Sequence, residues 1–156
     1  KQELINQKFD LKQDVNKIQH LPTFDGVTPL AHFCWTGNLP IIKLLFLIGA
    51  DCTLQCKDNY WFPMHAAALS GHLDICKWLF EYGGDAKYQI NKETKYGNTP
   101  LYESYLAWEY GRDKDGKTCQ WLLKNGGGQN LSSRAMECLL IEETEETNSN
   151  LLVLWM

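Results

Sequence analysis

The 156-residue chain lacks a long apolar run and lacks an excess of positive charge. Its most apolar stretch, residues 41–50, is about half as long as a membrane span requires and contains Lys43. Its 15 Lys and Arg are outnumbered by 19 Asp and Glu, so the net charge is -4. A nucleic-acid groove needs a basic face. We therefore expect neither a membrane span nor a nucleic-acid partner.

The sequence also lacks the signatures of the common enzyme classes. It contains no glycine-rich phosphate loop, no nucleophile elbow and no HExxH motif. Its carboxylates fall at predicted turns and helix ends, without the paired placement that acid–base catalysis requires. Residues 111–117 superficially resemble a calcium loop but lack its acidic spacing and its final glutamate. We predict that the chain is not an enzyme and that it needs no cofactor and no metal.

What the sequence does contain is an internal repeat. Residues 58–86 read as a turn, a short helix opened by Pro63, a turn at Gly71, and a longer helix ended by a glycine pair. The same features occur about 34 residues earlier, and a third, more divergent copy begins at Pro100. Two helices per unit at this period predict a stacked helical repeat.

The repeated motifs resemble those of the ankyrin-repeat family. The family's TPLH-x-A element is similar to Thr28-Pro29-Leu30, to Pro63-Met64-His65 with its following alanines, and to Thr99-Pro100-Leu101. Its GHL element is similar to Gly71-His72-Leu73, and its GAD element is similar to Gly49-Ala50-Asp51. The resemblance covers residues 25 to about 127. It implies an all-α fold, an ankyrin-repeat helical solenoid with β-hairpin fingers and helical caps at both ends.

The repeat divides the chain into one domain of five parts. We assign residues 1–24 to an N-terminal capping helix or degenerate repeat, and residues 25–57, 58–94 and 95–128 to three ankyrin repeats. Residues 129–156 are expected to form a C-terminal cap helix, an acidic segment and an apolar tail. Because a free tail of that kind would aggregate, we expect it to dock on this domain or on a partner.

Several positions depart from the family's pattern. Tyr60 stands where the family has a positive-φ glycine, so we expect the turn to shift by one residue to Asn59. Residues 86–96 alternate enough to predict a two-stranded finger. An insertion at residues 109–117 predicts that the first helix of unit three runs on to Tyr110. Apolar residues of the second helix in unit one are expected to form its buried face: Leu44, Leu45, Phe46 and Ile48.

The histidines and cysteines are expected to be structural. The resemblance implies that His65 hydrogen-bonds the hairpins of adjoining units and that His72 occupies the GHL turn. Four of the six cysteines fall at core positions, whereas Cys56 is expected on the exposed hairpin, and Cys52-x3-Cys56 lacks the second pair of a zinc finger. This usage predicts an intracellular, reducing compartment, either the cytoplasm or an organelle after presequence removal.

The aromatic residues are unusually many, with six tryptophans and seven tyrosines. Trp78 and Trp121 share one repeat position and are expected in the core, whereas Trp35 and Trp61 are expected to be exposed interface anchors. The resemblance implies a concave groove lined by the hairpin tips and by the ends of the first helices. By register, the partner-binding residues are Phe24, Val27, Trp35, Thr36, Asp58, Asn59, Trp61, Leu69, Ser70, Asn98 and Leu106.

We therefore predict a non-catalytic module that binds another protein through a concave aromatic groove, as a structural or accessory subunit of a larger multi-protein assembly. The alternative is a regulatory or targeting ankyrin segment of a longer enzyme polypeptide. Metal or small-molecule sensing through the histidines and cysteines is a third hypothesis. In a fourth, the groove takes the apolar tail of another copy of the chain.

Overall fold

The computed structural model describes residues 26–58, 60–84 and 86–128. The helices in these ranges are α1 (Pro29–Thr36), α2 (Leu39–Leu47), α3 (Pro63–Leu69), α4 (Leu73–Tyr82), α5 (Ala86–Ile90), α6 (Pro100–Glu109) and α7 (Lys117–Lys124). Three helix pairs, α1 with α2, α3 with α4, and α6 with α7, follow one another at the predicted period. The predictions for residues 1–24 and 129–156 lie outside the described residues.

The first helix of each pair begins in the same way, at a proline in its first turn. Thr28 and Thr99 precede two of these prolines, and each hydroxyl oxygen accepts a hydrogen bond from the backbone amide three residues on, at 3.2 and 3.3 Å. Phe62 holds the equivalent place in unit two and provides no side-chain cap. Asn38 caps α2 as predicted, since its Oδ1 accepts from the Ile41 amide at 3.2 Å.

The first helices form one layer of the stack, with α1 packed on α3 and α3 packed on α6. Small side chains permit this close approach, because three successive alanines of α3 (residues 66–68) are buried. Between this layer and the second helices lies a core that includes Leu30, Ile42, Met64, Ile75, Leu79, Leu101 and Leu122. The core therefore runs through all three units without interruption.

The second helices are joined by two similar ring contacts. The rings of Phe46 and Trp78 meet edge-on at 5.4 Å and 87°, and those of Phe80 and Trp121 at 5.4 Å and 86°. Both tryptophans are half-buried and pack against the core, as the sequence predicts. The buried face predicted for α2 is wrong for three of its four residues, because Leu44, Phe46 and Ile48 are exposed and only Leu45 packs against the core. Ile42 is instead the fully buried residue of this helix.

The residues that the structure describes contain no β-strand, so the fingers between units are tight turns. Between units one and two the Cys56 amide donates to the Trp61 carbonyl at 2.7 Å, and between units two and three the Thr94 amide donates to the Asn98 carbonyl at 2.9 Å. The two-stranded finger predicted for residues 86–96 is wrong, since helix α5 occupies its first half.

Helix α5 forms because of its packing against α4. Gln89 and Ile90 are buried, and the Gln89 side-chain amide donates to the Gly83 carbonyl at the end of α4. Two apolar residues spaced two apart, Tyr88 and Ile90, suggested a strand, but only Ile90 enters the core while Tyr88 is exposed. Tertiary burial thus decides the conformation of a segment too short for its own periodicity to be informative.

Candidate functional site

Three residues in register form the tips of the turns that precede the first helices. Gly26, Tyr60 and Gly97 each lie three residues before the helix-opening proline, and all three have a left-handed backbone, with φ of 74°, 60° and 79°. This conformation is open to glycine and costs other residues about 1–2 kcal/mol. The turn geometry is therefore the same in each unit, whichever residue occupies it.

Tyr60 was expected to avoid this conformation by shifting the turn to Asn59, and that prediction is wrong. The tip of unit two is tied on both sides: the Lys57 amide donates to the Gly26 carbonyl at 2.8 Å, and Gln55 Nε2 donates to the Tyr60 carbonyl at 3.2 Å. These bonds fix the backbone, so Tyr60 adopts the glycine conformation. Its side chain is left 47% exposed at the tip.

Two other residues of this tip, Trp61 and Cys56, lie inward. Both were expected to be exposed. Trp61 is half-buried against the core, and Cys56 is buried. Burial raises the pKa of the Cys56 thiol, and hydrogen bonding to Thr28 of unit one partly offsets that rise. The 2.7 Å bond between the Cys56 amide and the Trp61 carbonyl closes this turn, and the Lys57 bond to Gly26 ties it to the preceding tip.

The ends of the first helices form a second row across the three units. Trp35, at the end of α1, is 50% exposed, and its carbonyl accepts from His72 Nε2 at 3.1 Å. Leu69, at the end of α3, is half-buried, and its carbonyl accepts from Arg112 Nη1 at 3.3 Å. Each helix end is thus tied to the unit that follows it, which fixes the surface that carries these side chains.

The insertion in unit three extends this row. Helix α6 ends at Glu109 with Tyr110 as its cap, as predicted, and Tyr110 and Trp108 are both exposed. The loop that follows packs inward: Asp113 is buried, and its Oδ2 accepts from the Thr118 amide at 2.8 Å. The end of α6 thus carries two exposed aromatic side chains, Trp108 just before the insertion and Tyr110 within it, while the inserted loop is held against the stack.

A hydrogen-bond network joins units two and three behind the tips. The Phe62 amide donates to His65 Nδ1 at 3.3 Å, so Nε2 carries the proton and donates to the Lys92 and Asn98 carbonyls at 2.9 and 3.1 Å. The predicted bridging role of His65 is confirmed. Burial lowers the pKa of His65 to about 4, so the ring is neutral near pH 7.

Asn98 and Glu103 complete this network. Asn98 Nδ2 donates to Glu103 Oε1 at 3.1 Å, and Glu103 is buried. Burial raises the pKa of Glu103, and the hydrogen bond from Asn98 partly opposes that rise. The side-chain amide of Asn98, predicted to line the groove, is therefore already engaged within the fold.

The predicted groove residues thus differ in their accessibility. Trp35, Thr36 and Asp58 are exposed, and Phe24 and Asn59 lie outside the described residues. The half-buried members of the predicted set are Val27, Trp61, Leu69, Ser70, Asn98 and Leu106. Sequence reasoning missed four exposed aromatic residues, two at the turn tips (Tyr60 and Tyr96) and two at the end of α6 (Trp108 and Tyr110). The register of Tyr60 with Gly26 and Gly97 was the signal that could have identified it.

Within the described part of the chain, no cluster of three His, Cys, Asp or Glu side chains could hold a metal ion. The five cysteines found there are buried and outside disulfides, and burial raises the pKa of Cys52 to about 12. None of the described helices combines the length and the apolar character needed to cross a membrane.

Comparison with known proteins identifies the repeat. A family model of ankyrin repeats in three copies matches residues 2–89 and 30–135. The Notch-regulated ankyrin repeat-containing protein of Homo sapiens is 42% identical over 55 residues, which are 35% of this chain and 47% of that protein. Protein phosphatase 1 regulatory subunit 27 of Mus musculus is 37% identical over 60 residues, 38% of this chain and 38% of that protein.

A longer alignment joins the chain to a much larger protein. Ankyrin repeat and SAM domain-containing protein 6 of Mus musculus is 34% identical over 73 residues, 47% of this chain and 8% of that protein. The chain spans about half the length of the Notch-regulated relatives that it matches. Ankyrin repeats generally mediate protein–protein interaction. With three helix pairs in register and a family model that covers most of its length, the chain belongs to the ankyrin-repeat family.

Proposed function

We propose that the chain is a non-catalytic protein-binding module. Its binding surface comprises exposed aromatic residues of the turn tips, Tyr60 and Tyr96, and of the first-helix ends, Trp35, Trp108 and Tyr110, a set that we call the aromatic row. Tyr60 is the observation that carries the proposal. It keeps a left-handed backbone at φ 60° where the other two units have glycine, and its ring is about half exposed. A strained residue whose side chain contributes little to the core is typical of a functional surface.

The composition of the row supports the same proposal. Its members are tyrosine and tryptophan, which dominate the energetic centres of protein interfaces. Apolar rings and polar tips let such residues remain in water before binding and lose that water on binding. Charged neighbours such as Asp58, Lys95 and Arg112 are exposed and border the rings, as the rim of an interface does.

We further propose that the chain works as an accessory subunit of a larger protein assembly. The ankyrin stack is preformed, so binding to it costs little conformational entropy in this chain. One relative is named as a regulatory subunit of protein phosphatase 1. The buried cysteines, which lie outside disulfides, are compatible with a reducing compartment.

Affinity capture with matched variants tests the binding surface. Immobilised wild-type chain is compared with Trp35→Ala/Tyr60→Ala, and with a control, Tyr82→Ala/Tyr88→Ala, in which two equally exposed aromatic residues outside the row are removed. We expect proteins that the wild-type and control chains retain and the row variant loses. Titration with the purified partner should then show each row substitution weakening binding by about 2 kcal/mol, or roughly 30-fold.

The proposal fails if the same proteins bind all three chains with equal affinity. The proposal also fails if the row variant loses binding only because it no longer folds. The urea-unfolding midpoint of the row variant must therefore match that of the control variant. Since Trp35 and Tyr60 are each about half exposed, truncating them should leave the core intact.

A second candidate function is a regulatory or targeting segment of a longer polypeptide. The alignment to a relative in which the matched segment is only 8% of the protein supports it, because ankyrin stacks of this kind occur as small parts of long chains. A transcript that continues the reading frame into a second domain would favour this candidate over a separate subunit.

A further inference from the structure

A surface made by the second helices of units one and two lies between α2 and α4. The rings of Phe46 and Trp78 meet edge-on at its centre, with 5.4 Å between their centroids. The ring of Tyr82, four residues after Trp78, lies 5.6 Å from the Trp78 ring and continues the same face of α4. Three aromatic rings from two units therefore follow one another on helices that carry none of the aromatic row.

Leu47, the last residue of α2, borders this surface. Successive residues of an α-helix are turned by about 100°. Because Ile42 points into the core and Phe46 points to unit two, Leu47 lies one step further round, outward on the side of unit two. Leu47 is 80% exposed and Tyr82 is 51% exposed. We call the surface formed by Phe46, Leu47, Trp78 and Tyr82 the outer groove.

The equivalent groove between α4 and α7 has polar edges. The same edge-on ring contact lies at its centre. The places of Leu47 and Tyr82, counted from the turn glycine that follows each helix, are taken by Glu81 and Asn125. Glu81 is exposed, and the Asn125 side chain donates to the Trp121 carbonyl at 2.8 Å. Since units two and three stack with polar residues at these places, stacking does not require the apolar edges of the outer groove.

We infer that the outer groove is the docking site of the apolar tail of the same chain, residues 151–156. This tail has six consecutive apolar side chains, which in water would promote aggregation. An exposed apolar groove marks a docking site for the same physical reason, and contact between the two removes both from water. The inference goes beyond the proposed function, because the aromatic row takes no part in it.

The chain is long enough for the tail to reach the outer groove. Gly128, the last described residue, donates from its amide to Asn91 Oδ1 at 3.0 Å. Twenty-two residues separate Gly128 from Leu151. They would reach about 33 Å as one helix and about 70 Å if extended, whereas α2 lies two helix spacings, about 20 Å, from α7. A tethered tail has an effective concentration on the order of millimolar, which favours it over the tail of a second chain.

Charge favours the same pairing. Lys43 is the one charged residue of α2; it is exposed and lies one helical turn before Leu47. Residues 129–156 carry five glutamates and one arginine, so they hold the whole net charge of -4, and residues 1–128 carry 14 charges of each sign. Four of these glutamates lie at positions 142–146, just before the tail. The tail therefore brings an acidic flank to a groove whose edge on α2 is basic.

Photo-crosslinking of the 156-residue chain tests the inference. Leu47→benzoylphenylalanine places the crosslinker at the edge of the outer groove, and Glu81→benzoylphenylalanine is the matched control at the same place of the next groove. A dilute mixture of ¹⁵N-labelled and unlabelled chains is irradiated and cleaved after glutamate, which releases residues 147–156 as one peptide. We expect crosslinks from position 47 to this peptide within one chain, and none from position 81.

Each other outcome overturns the inference. Crosslinks that join labelled to unlabelled chains would assign the outer groove to self-association. Equal crosslinking from positions 47 and 81 would show that the tail does not prefer the outer groove. Crosslinks from position 47 to other segments, or none at all, would leave the groove to a different occupant.

A double-mutant cycle provides an independent measurement. Trp155 is the largest side chain of the tail. If it contacts the outer groove, Leu47→Ala and Trp155→Ala together should lower the urea-unfolding midpoint by less than the sum of their separate shifts. Trp155→Ala combined with Tyr88→Ala, an exposed aromatic residue on α5, should give additive shifts. Leu47 is mostly exposed, so its truncation leaves the core intact, and additive shifts in both pairs would overturn the inference.

Discussion

Tyr60 occupies a backbone position that the neighbouring units give to glycine. Its ring is half exposed, so its burial does not explain why a tyrosine is there. The local hydrogen bonds from Lys57 and Gln55 hold the turn in place and allow the strain to persist. At the scale of one residue, Tyr60 therefore has two separate effects. Its strained backbone affects the stability of the fold, and its exposed ring contributes to the surface.

Replacing Tyr60 with glycine separates these contributions. Tyr60→Gly relieves about 1–2 kcal/mol of backbone strain but makes the unfolded chain more flexible by about 0.5–1 kcal/mol. We expect the free energy of unfolding to stay unchanged or to rise by up to about 1 kcal/mol, measured by urea titration, while partner binding weakens.

Gly97→Ala is the matched control at the next tip. Gly97 has φ of 79° and no atom within 4 Å of an added Cβ, so only the backbone conformation is penalised. We expect it to lower the free energy of unfolding by about 1 kcal/mol. A loss above about 1 kcal/mol for Tyr60→Gly would mean that the tyrosine ring supports the fold.

Glu103 gives the stack a stability contribution that depends on pH. Burial raises its pKa in the folded chain, so folding favours the protonated form, and this contribution is fully present below the unfolded pKa and is lost as pH rises through the folded pKa. Glu103→Gln keeps an oxygen that can accept from Asn98 Nδ2 and removes the charge. We expect the variant to gain stability over the wild type as pH rises from 4 to 8.

Urea unfolding of both proteins at each pH measures this difference. The comparison cancels other titrating groups that the two chains share, including His65. A difference between the two proteins that stays constant with pH would show that Glu103 does not keep a raised pKa in the folded chain.

At the scale of elements, the inserted loop between α6 and α7 is part of the stack. It contacts the turn of unit two at Gly71, where an added Cβ would lie 2.9 Å from the Cβ of Asp113 and 3.1 Å from its backbone. Arg112 adds a hydrogen bond to the Leu69 carbonyl. The segment that the sequence shows as an insertion is therefore packed against the neighbouring unit.

Two glycines with nearly the same backbone test this packing. Gly71 and Gly111 have φ of 72° and 71°, but an added Cβ at Gly111 meets no atom within 4 Å. We expect Gly111→Ala to cost about 1 kcal/mol of unfolding free energy from backbone strain alone, and Gly71→Ala to cost more than about 2 kcal/mol. Thermal or urea unfolding measures both, and equal losses would show that the loop does not press on Gly71.

The elements also show what the sequence could predict. The helix pairs were predictable because proline, threonine and glycine act locally: Pro29, Pro63 and Pro100 start helices through their own φ. Helix α5 and the inward position of Trp61 were not predictable in this way, because both depend on packing against other units. For the same reason, register predicts which residues line a groove, but the exposure of each of these residues depends on packing and is not predictable from register.

At the scale of the whole molecule, the three units are joined by contacts of several kinds. The first helices pack in one layer, ring contacts link the second helices, and His65 bridges units two and three through two carbonyls. In a repeat stack, such interfaces supply much of the stability of each unit, because one pair of short helices cannot form a core alone. We therefore expect the described units to unfold together.

The buried cysteines report on this cooperativity unit by unit. Cys34, Cys52 and Cys56 lie in unit one, Cys76 in unit two, and Cys119 in unit three; all five are buried, at most 5% exposed, and outside disulfides. Burial raises the pKa of Cys34, Cys52, Cys56 and Cys76, so their thiolates, the reactive form, are scarce in the folded chain.

Pulse labelling with iodoacetamide at increasing urea, read by mass spectrometry of the peptides, follows each thiol separately. If the stack unfolds as one cooperative body, all five cysteines become reactive with one midpoint, and that midpoint coincides with the loss of helical circular dichroism. Labelling of Cys119 at lower urea than Cys34 and Cys76 would show that unit three opens alone. The His65 bridge would then be too weak to couple the last unit to the rest of the stack.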